Sequence, residues 1–321
     1  MNRGLDKFVA GLQVTRLAMV FTAIADIWVI ALLSLAHRET WRVTPTLETI
    51  HPGVLLAATA AVAGGLYVFG MTLNDVMDAR RDRLFAPTRP IPSRRISLAA
   101  ATTIAVGALL VAIAASIPLG AMSTMLCLIT AGLILFYNGL GKHLGAIGIV
   151  TLGLIRSVNM LIANPSLGYM WPVWLTMTHV TGLSAAGHRL EGKRPQLRGA
   201  QIWITAIGWA FVTVVMMLWM HRHNTSPPDR PWMWVGPVVA MLVFTVIGII
   251  TQRSAPTEPA AGALLIKRGL LWLIIYDAAW LASDGLWWQT AAVGALLPAA
   301  WAMMHLTRHL KAMTTPTEFR R

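Results

Sequence analysis

From residue 74 to residue 82 the chain reads Asn-Asp-Val-Met-Asp-Ala-Arg-Arg-Asp, which puts three of its 13 acidic residues within eight positions. Asp75, Asp78 and Asp82 stand at i, i+3 and i+7. On a helix that spacing places all three carboxylates on one face, with Asn74 beside them. Like charges stacked in this way repel unless something positive lies between them. A hard divalent cation meets the need: Mg2+ takes carboxylate oxygens and bridges to substrate phosphates while keeping some of its waters. Surface pairs with Arg80, Arg81 and Arg83 would also neutralise the run, at little gain in stability. Such pairs explain neither the one-sided spacing nor the position at the end of an apolar stretch. Residues 89–95 follow as Arg-Pro-Ile-Pro-Ser-Arg-Arg. Pro90 and Pro92 favour an extended, stiff loop. Arg89 and Arg94 offer guanidinium groups that match phosphate oxygens in pairs. A loop flanking a membrane span is basic in any case, so for these two arginines the readings are balanced.

Such chemistry needs elements to hold it, and the composition says which kind. Of 321 residues, 56 % are hydrophobic and 12 % charged, and the mean hydropathy is +0.62. An ordinary soluble domain carries about 25 % charged residues. A disordered chain, a disulfide scaffold and a typical soluble enzyme are excluded. The expectation is one all-α unit, residues 1–321, built as a transmembrane helical bundle. A spanning helix needs about 20 apolar residues. Ten segments qualify: 12–36, 53–74, 96–117, 120–138, 144–164, 170–187, 201–221, 232–251, 260–283 and 286–306. The weakest boundary is the last, where Ser283-Asp284-Gly285 is the only turn signal. His221–Pro231 reads as an outside loop and the last dozen residues as a frayed polar tail.

The net charge is +13, from 26 Lys+Arg and 13 Asp+Glu. In a soluble protein that would suggest nucleic acid. Here the basic residues flank apolar spans, where they set topology and touch anionic lipid, so the partner is the bilayer and no nucleic acid is expected. With the N-terminus inside, twenty-one of the basic residues fall on inside segments and four (Arg38, Arg42, Arg222, Arg230) outside. The asymmetry predicts cytoplasmic N- and C-termini in the cell membrane (plasma or inner). Cys127 is the only cysteine, which excludes a disulfide within the chain. The first apolar stretch is too long for the core of a cleavable signal.

The run Asn-Asp-x-x-Asp-x-x-x-Asp closing an apolar helix, followed by Arg-Pro-x-Pro-Ser, resembles the first signature of the UbiA superfamily of intramembrane prenyltransferases. Tyr137, Asn138 and Lys142 look like that family's Tyr…Lys element, and Arg156 to Asn159 resemble an Arg-x-x-Asn element of some members. The combination is most similar to the EboC-type branch. The resemblance implies a helical bundle, usually of nine spans, around a central cavity. It also implies transfer of an isoprenoid from a prenyl diphosphate to a hydrophobic, aromatic or lipid-like acceptor. By that likeness Asp75, Asp78 and Asp82 are the expected Mg2+ ligands, and Asp75, Asp78 and Lys142 the catalytic set. Asn74, Arg89, Arg94, Tyr137, Asn138, Arg156, Asn159 and Glu191 are the expected substrate contacts.

The pattern breaks in two places. Members usually carry a second acidic motif at the cytoplasmic end of the sixth span. The matching stretch, Thr178 to Arg194, holds only Glu191. Either His188, Lys193 or Arg194 neutralises diphosphate in place of a second metal, or the protein binds isoprenoids without turnover, as part of a metabolite-export assembly. Ten spans also put the C-terminus inside, where nine would put it outside. Asp26, Arg156 and Asp277 fall within spans, where a charge costs about 2.5–3.5 kcal/mol on insertion scales and calls for a partner. Arg156 is expected to point toward the diphosphate, with a structural pair to Asp26 or Asp277 as the alternative. Tryptophans such as Trp41, Trp171 and Trp287 lie near span ends, as an aromatic belt would place them.

Overall fold

A computed structural model describes residues 3–223 and 231–314. Most of the expected outside loop, including Arg230, and the tail with Arg320 and Arg321 lie outside the described residues. All regular structure among the described residues is helical. An amphipathic α1 (Arg3–Thr15) leads through a 3-10 turn into α2 (Val20–Ala36); a short α3 (Pro45–Thr49) precedes the long α4 (Pro52–Met77). α5 (Ala79–Phe85) continues from α4, and α6 (Leu98–Ser116), α7 (Ala121–Gly139) and α8 (Ala146–Leu161) follow. Then come α9 (Trp171–Leu190), α10 (Ala200–Arg222), α11 (Val235–Ser254), α12 (Glu258–Ser283), α13 (Trp287–Gly294) and α14 (Leu296–Thr314).

Local chemistry fixes the helix starts. Ser97 Oγ and Thr257 Oγ1 accept from the amides of Ala100 and Ala260 and so cap α6 and α12. α4 and α12 carry proline in the first turn, where no amide partner is lost. Successive spans run in opposite directions. At one end, Gln201 on α10 accepts from the Ala146 amide that opens α8. At the other end, Asn164 just after α8 donates to Ser34 on α2, and His37 after α2 meets Asp284 after α12. The last segment, α13 and α14, returns along α12 and α2 to α1. Ten passes therefore bring both described ends of the chain to the end of the bundle that holds the acidic run, one pass more than the family resemblance implied.

Eight helical segments among the described residues are long and apolar enough to cross a bilayer: Asp6–Ala36, Pro52–Met77, Leu98–Leu119, Ala121–Gly139, Ala200–Arg222, Pro231–Ser254, Glu258–Ser283 and Trp287–Met313. Two expected spans differ. The segment read as 144–164 is the 16-residue α8, about 24 Å long at 1.5 Å per residue. It is shorter than a hydrocarbon core of about 30 Å. α8 sits in the middle of the bundle against α2, α7, α9 and α10, so most of its surface meets protein rather than lipid. The segment read as 170–187 is α9, long enough but interrupted by Thr176, Thr178, His179 and Thr181. The first expected span, 12–36, is broken at Arg16, whose backbone is left-handed (φ 48°, ψ 41°).

One apolar core runs from Ala23 to Val293. Its walls approach closely where glycine allows: a Cβ on Gly65 would collide with the Ala108 carbonyl and Ala112, so glycine lets α4 and α6 pack backbone to backbone. Within this core Arg156 does not point to the acidic run. Its guanidinium donates to Asp26 Oδ2 at 2.6 Å and to Thr22 Oγ1 at 2.9 Å, both on α2. Asp277 of α12 lies against Asp26, and Asn159 reaches toward the Ala23 carbonyl at 3.5 Å. The expected reach toward diphosphate gives way to the structural pair because α8 is pressed against α2, and Asp26 is fully buried there with no other cation. Removing one member of such a pair costs about 3–5 kcal/mol. Arg156→Met is therefore expected to lower thermal stability in detergent severely, whereas Asp277→Asn keeps the Asp26–Arg156 pair and nearly the same side-chain shape and should leave the unfolding midpoint almost unchanged.

Candidate functional site

The acidic run lies at the end of α4 and across the turn into α5. The helix does not stop cleanly there: Asp78 caps α4, its amide bonds the Asn74 carbonyl, and its own carbonyl accepts from Asp82. The three carboxylates thus follow one another down nearly one helical track, as the spacing predicted. Three cations meet them. Lys142 Nζ donates to Asp78 Oδ1 at 2.7 Å and to Asn74 Oδ1 at 3.3 Å. Arg89 donates to Asp82 Oδ2 at 2.7 Å and stands 4.0 Å from Asp75 Oδ1. Arg16 approaches the same oxygen of Asp75 at 3.7 Å. Asp75 and Asp82 are buried, and Lys142 and Asp78 nearly so, while Arg16 and Arg89 are about half exposed. Three negative charges face three positive ones.

The cations are held by a cap of short elements. Lys142 sits in the turn after α7. Arg89 opens a loop that the two prolines were expected to extend. The loop instead folds into consecutive turns, with the amides of Ser93, Arg94, Arg95 and Ile96 bonding back to Arg89, Pro90 and Ile91. A small apolar cluster of Ala10, Val14, Ala79, Ile91, Ile96 and Ala101 draws the loop inward against α1, α5 and α6. Proline fixes its own φ but still allows turns, and burial of Ile91 and Ile96 decides between the shapes. Arg95 fastens the cap by donating to Asp6 Oδ1 at 2.8 Å and Gln13 Oε1 at 2.9 Å, both on α1.

The remaining expected site residues divide. Tyr137 lies close to Asp78 and Arg16, so it belongs to the site. Asn138 is one residue further along but turned away, donating to the carbonyls of Ile134 and Gly70. Arg94 is exposed with φ +58° and has no side-chain partner among the described residues. Glu191 pairs with Lys193 at 2.7 Å beyond the end of α9, and His188 bonds the Pro195 carbonyl. None of Arg94, Arg156, Asn159 or Glu191 touches the acidic run. Arg16 is the residue that sequence reasoning missed. It counted only as one more inside cation, because nothing in Thr15-Arg16-Leu17 marks the left-handed break that aims its side chain at Asp75.

Among the described residues no three acidic, histidine or cysteine side chains converge as a ready metal cluster. Asp78 is committed to Lys142. Asp75 and Asp82 are the pair that fits a divalent ion: both are buried, both lean on the same guanidinium, and Asp75 Oδ1 has no hydrogen-bond partner. Two carboxylates with the Asn74 amide nearby form an all-oxygen set of the kind Mg2+ takes when water and phosphate fill the rest of its shell.

The chain is similar to known proteins. The chain is 37 % identical over 91 residues to the digeranylgeranylglyceryl phosphate synthase of Saccharolobus solfataricus, covering 28 % of this chain and 32 % of that protein. It is 26 % identical over 155 residues to the synthase of the same name from Metallosphaera sedula, covering 47 % and 52 %. The matched stretch thus spans about half or less of these relatives' length. Among solved structures, one described as giving structural and mechanistic insights into digeranylgeranylglyceryl phosphate synthase in membranes superposes with a TM-score of 0.59. It is 16 % identical and covers 86 % of this chain and 98 % of that one. An apo UbiA homolog from Aeropyrum pernix K1 gives 0.50 at 15 % identity, covering 84 % and 98 %. These likenesses establish the shared helical fold, and with the eight apolar helices they make the chain an integral membrane protein. The sequence model of the UbiA prenyltransferase family matches residues 27–190, from α2 to the end of α9. Half of the chain, including the helix that ends in the acidic run and the turn that supplies Lys142, follows that pattern, and the protein belongs to the UbiA prenyltransferase family.

Proposed function

We propose that the protein transfers an isoprenoid group from an allylic prenyl diphosphate to a hydrophobic acceptor within the membrane, with Mg2+ as the cofactor. The observation that carries this reading is the charge balance of the site. Asp75, Asp78 and Asp82 are already matched by Arg16, Arg89 and Lys142. A polyanion entering a neutral, partly buried site must bring positive charge with it, and Asp75 and Asp82 offer oxygens for a divalent ion. When bound, such an ion binds phosphate oxygens and stabilises the charge that grows on a departing diphosphate.

The side chains then have separable tasks. Asp75 and Asp82 hold the ion, with Asn74 beside them. Arg16 and Arg89, half exposed, can turn from carboxylate to phosphate. Lys142, fixed by Asp78 and Asn74, presents a positive charge where the C–O bond of the donor ionises, and a charge already in place is worth most in a dry site. Tyr137 borders the same pocket of charge. The isoprenoid tail lies in the apolar interior, away from water that would quench an allylic cation. The acceptor is lipid-like or aromatic; a lipid-like one agrees with relatives named for a phosphate-bearing prenylated glyceryl product. The basic asymmetry of the loops supports a place for this end of the bundle on the cytoplasmic face of the cell membrane, and the reading takes residues 1–321 as one unit.

The test is release of diphosphate by the purified protein from a panel of allylic diphosphates, with and without Mg2+. Asp78→Asn loosens Lys142 while keeping the fold, and turnover is expected to fall by about 10²–10³. Arg16→Gln removes a half-exposed phosphate contact, and is expected to raise KM for the donor about tenfold with a smaller change in kcat. Saturable binding of every donor with no release from any would replace this reading by the non-catalytic one, for which the single acidic residue at the end of α9 speaks.

A further inference from the structure

A groove of about 420 Å³ separates α9 from α10, and none of the residues lining it belongs to α7 or to the acidic run. At its closed end the two helices are joined: Trp209 on α10 donates to Thr178 Oγ1 at 3.0 Å, and further along Trp174 donates to Thr213 at 3.1 Å. From Thr178 to Arg189 the helices part, a length of about 16 Å at 1.5 Å per residue. Small α9 residues, Gly182, Ala185 and Ala186, form one wall, and Ala206 and Trp209 face them from α10. A Cβ on Gly182 would meet nothing within 4 Å. The outer face of α10 is strongly apolar, with Trp203, Ile207 and Phe211 all more than 60 % exposed, so the slot opens toward lipid.

Arg189 is the one charged residue lining this slot, and it stands at the open end nearest the basic side of the bundle. Its side chain has no ion pair or hydrogen bond among the described residues. Arg194 and Arg198 on the following loop are exposed and likewise without a side-chain partner there, while Glu191 is taken by Lys193. An apolar slot ending in uncompensated arginines at the depth of the headgroups is complementary to an anionic amphiphile. A volume of about 420 Å³ spread along about 16 Å of helix is room for about one alkyl chain.

We propose that the α9–α10 groove binds an anionic phospholipid, one acyl chain lying between Gly182 and Ala206 and its phosphate on Arg189. The site is separate from the acidic run, so the proposal stands or falls independently of the transferase reading. The lipid fills the gap where α9 and α10 part and neutralises the loop that follows α9.

The test uses the full chain in neutral detergent, with its thermal unfolding midpoint and native mass spectrum recorded with phosphatidylglycerol, phosphatidylcholine or inorganic phosphate. Phosphatidylglycerol is expected to raise the midpoint by about 2–4 °C and to remain bound in the gas phase, while phosphatidylcholine and phosphate do neither. Arg189→Gln is expected to abolish the preference for the anionic lipid. Gly182→Phe, and independently Ala185→Leu, should fill the slot and abolish binding without lowering the lipid-free midpoint. Arg80→Gln, an exposed cation elsewhere, should change nothing. Equal shifts with both lipids, a full shift with phosphate alone, or retention of phosphatidylglycerol by both Arg189→Gln and a folded slot-filling variant would overturn the proposal. So would a change in oligomeric mass on filling the slot with no loss of lipid, which would make the groove a seat for a protein helix.

Discussion

Three carboxylates at the end of a membrane helix cannot be left to water alone, and the structure around them is organised to supply three cations. Lys142 comes from the turn between α7 and α8, Arg89 from the loop after α5, and Arg16 from the break between α1 and α2. No two of the cations lie on the same element. The turn, the loop and the break must all be in register for the charges to meet, which is why the cap has its own apolar cluster and why Arg95 ties the loop to Asp6 and Gln13. The left-handed backbone of Arg16 fits the same logic. A non-glycine residue in that region stores strain, and here the strained residue is the one that points at Asp75.

The second charged cluster works by the opposite rule. Arg156, Asp26 and Asp277 are deep in the bundle, contributed by α8, α2 and α12. Their neighbours are core residues, and their partner choice is settled by which helices touch. The acidic run is open at one side and partly wet, so its ion pairs can exchange one partner for another. Arg156 with Asp26 is closed, and exchange there would leave a charge bare in an apolar medium. The same residue types serve adaptation in one place and fixed packing in the other, and burial makes the difference.

That contrast also explains what could be read in advance. The acidic run and its position at a helix end depend on local spacing and on hydropathy, and both are written along the chain, whereas Lys142, 64 positions from Asp78, was reached only through the family resemblance. The ten segments follow from the same signal, and the structure returns a helix for each. Arg16 and Arg156 were misjudged for a common reason: each is defined by a contact far away in sequence. Arg16 lies 59 positions from Asp75, and Arg156 lies 130 from Asp26. Periodicity carries no information about such pairs. The Arg89–Arg95 loop was misjudged differently. Proline restrains φ locally, but two isoleucines seeking the core under α1 determine where the chain goes. α8 was drawn too long because a hydropathy window assumes lipid on the outside, and α8 has other helices there.

The absence of a second acidic motif can be judged against the same charge balance. In a site with two acidic motifs, extra carboxylates call for extra metal. Here the end of α9 offers Glu191 already bound to Lys193, and beside it Arg189, Arg194 and Arg198, whose side chains have no partner among the described residues. None of them touches the acidic run, so they do not replace a second metal from where they stand. What the chain does place at the run is Lys142, a fixed ammonium tied to two oxygens of α4 and needing no ion to arrive. On the proposed reading, a diphosphate entering with one divalent ion held by Asp75 and Asp82 would meet five formal positive charges, from the ion, Lys142, Arg89 and Arg16, against the three carboxylates. The departing diphosphate takes the bonding pair of the C–O bond and gains one negative charge, which the surplus of two would offset, so a single acidic motif can suffice electrostatically.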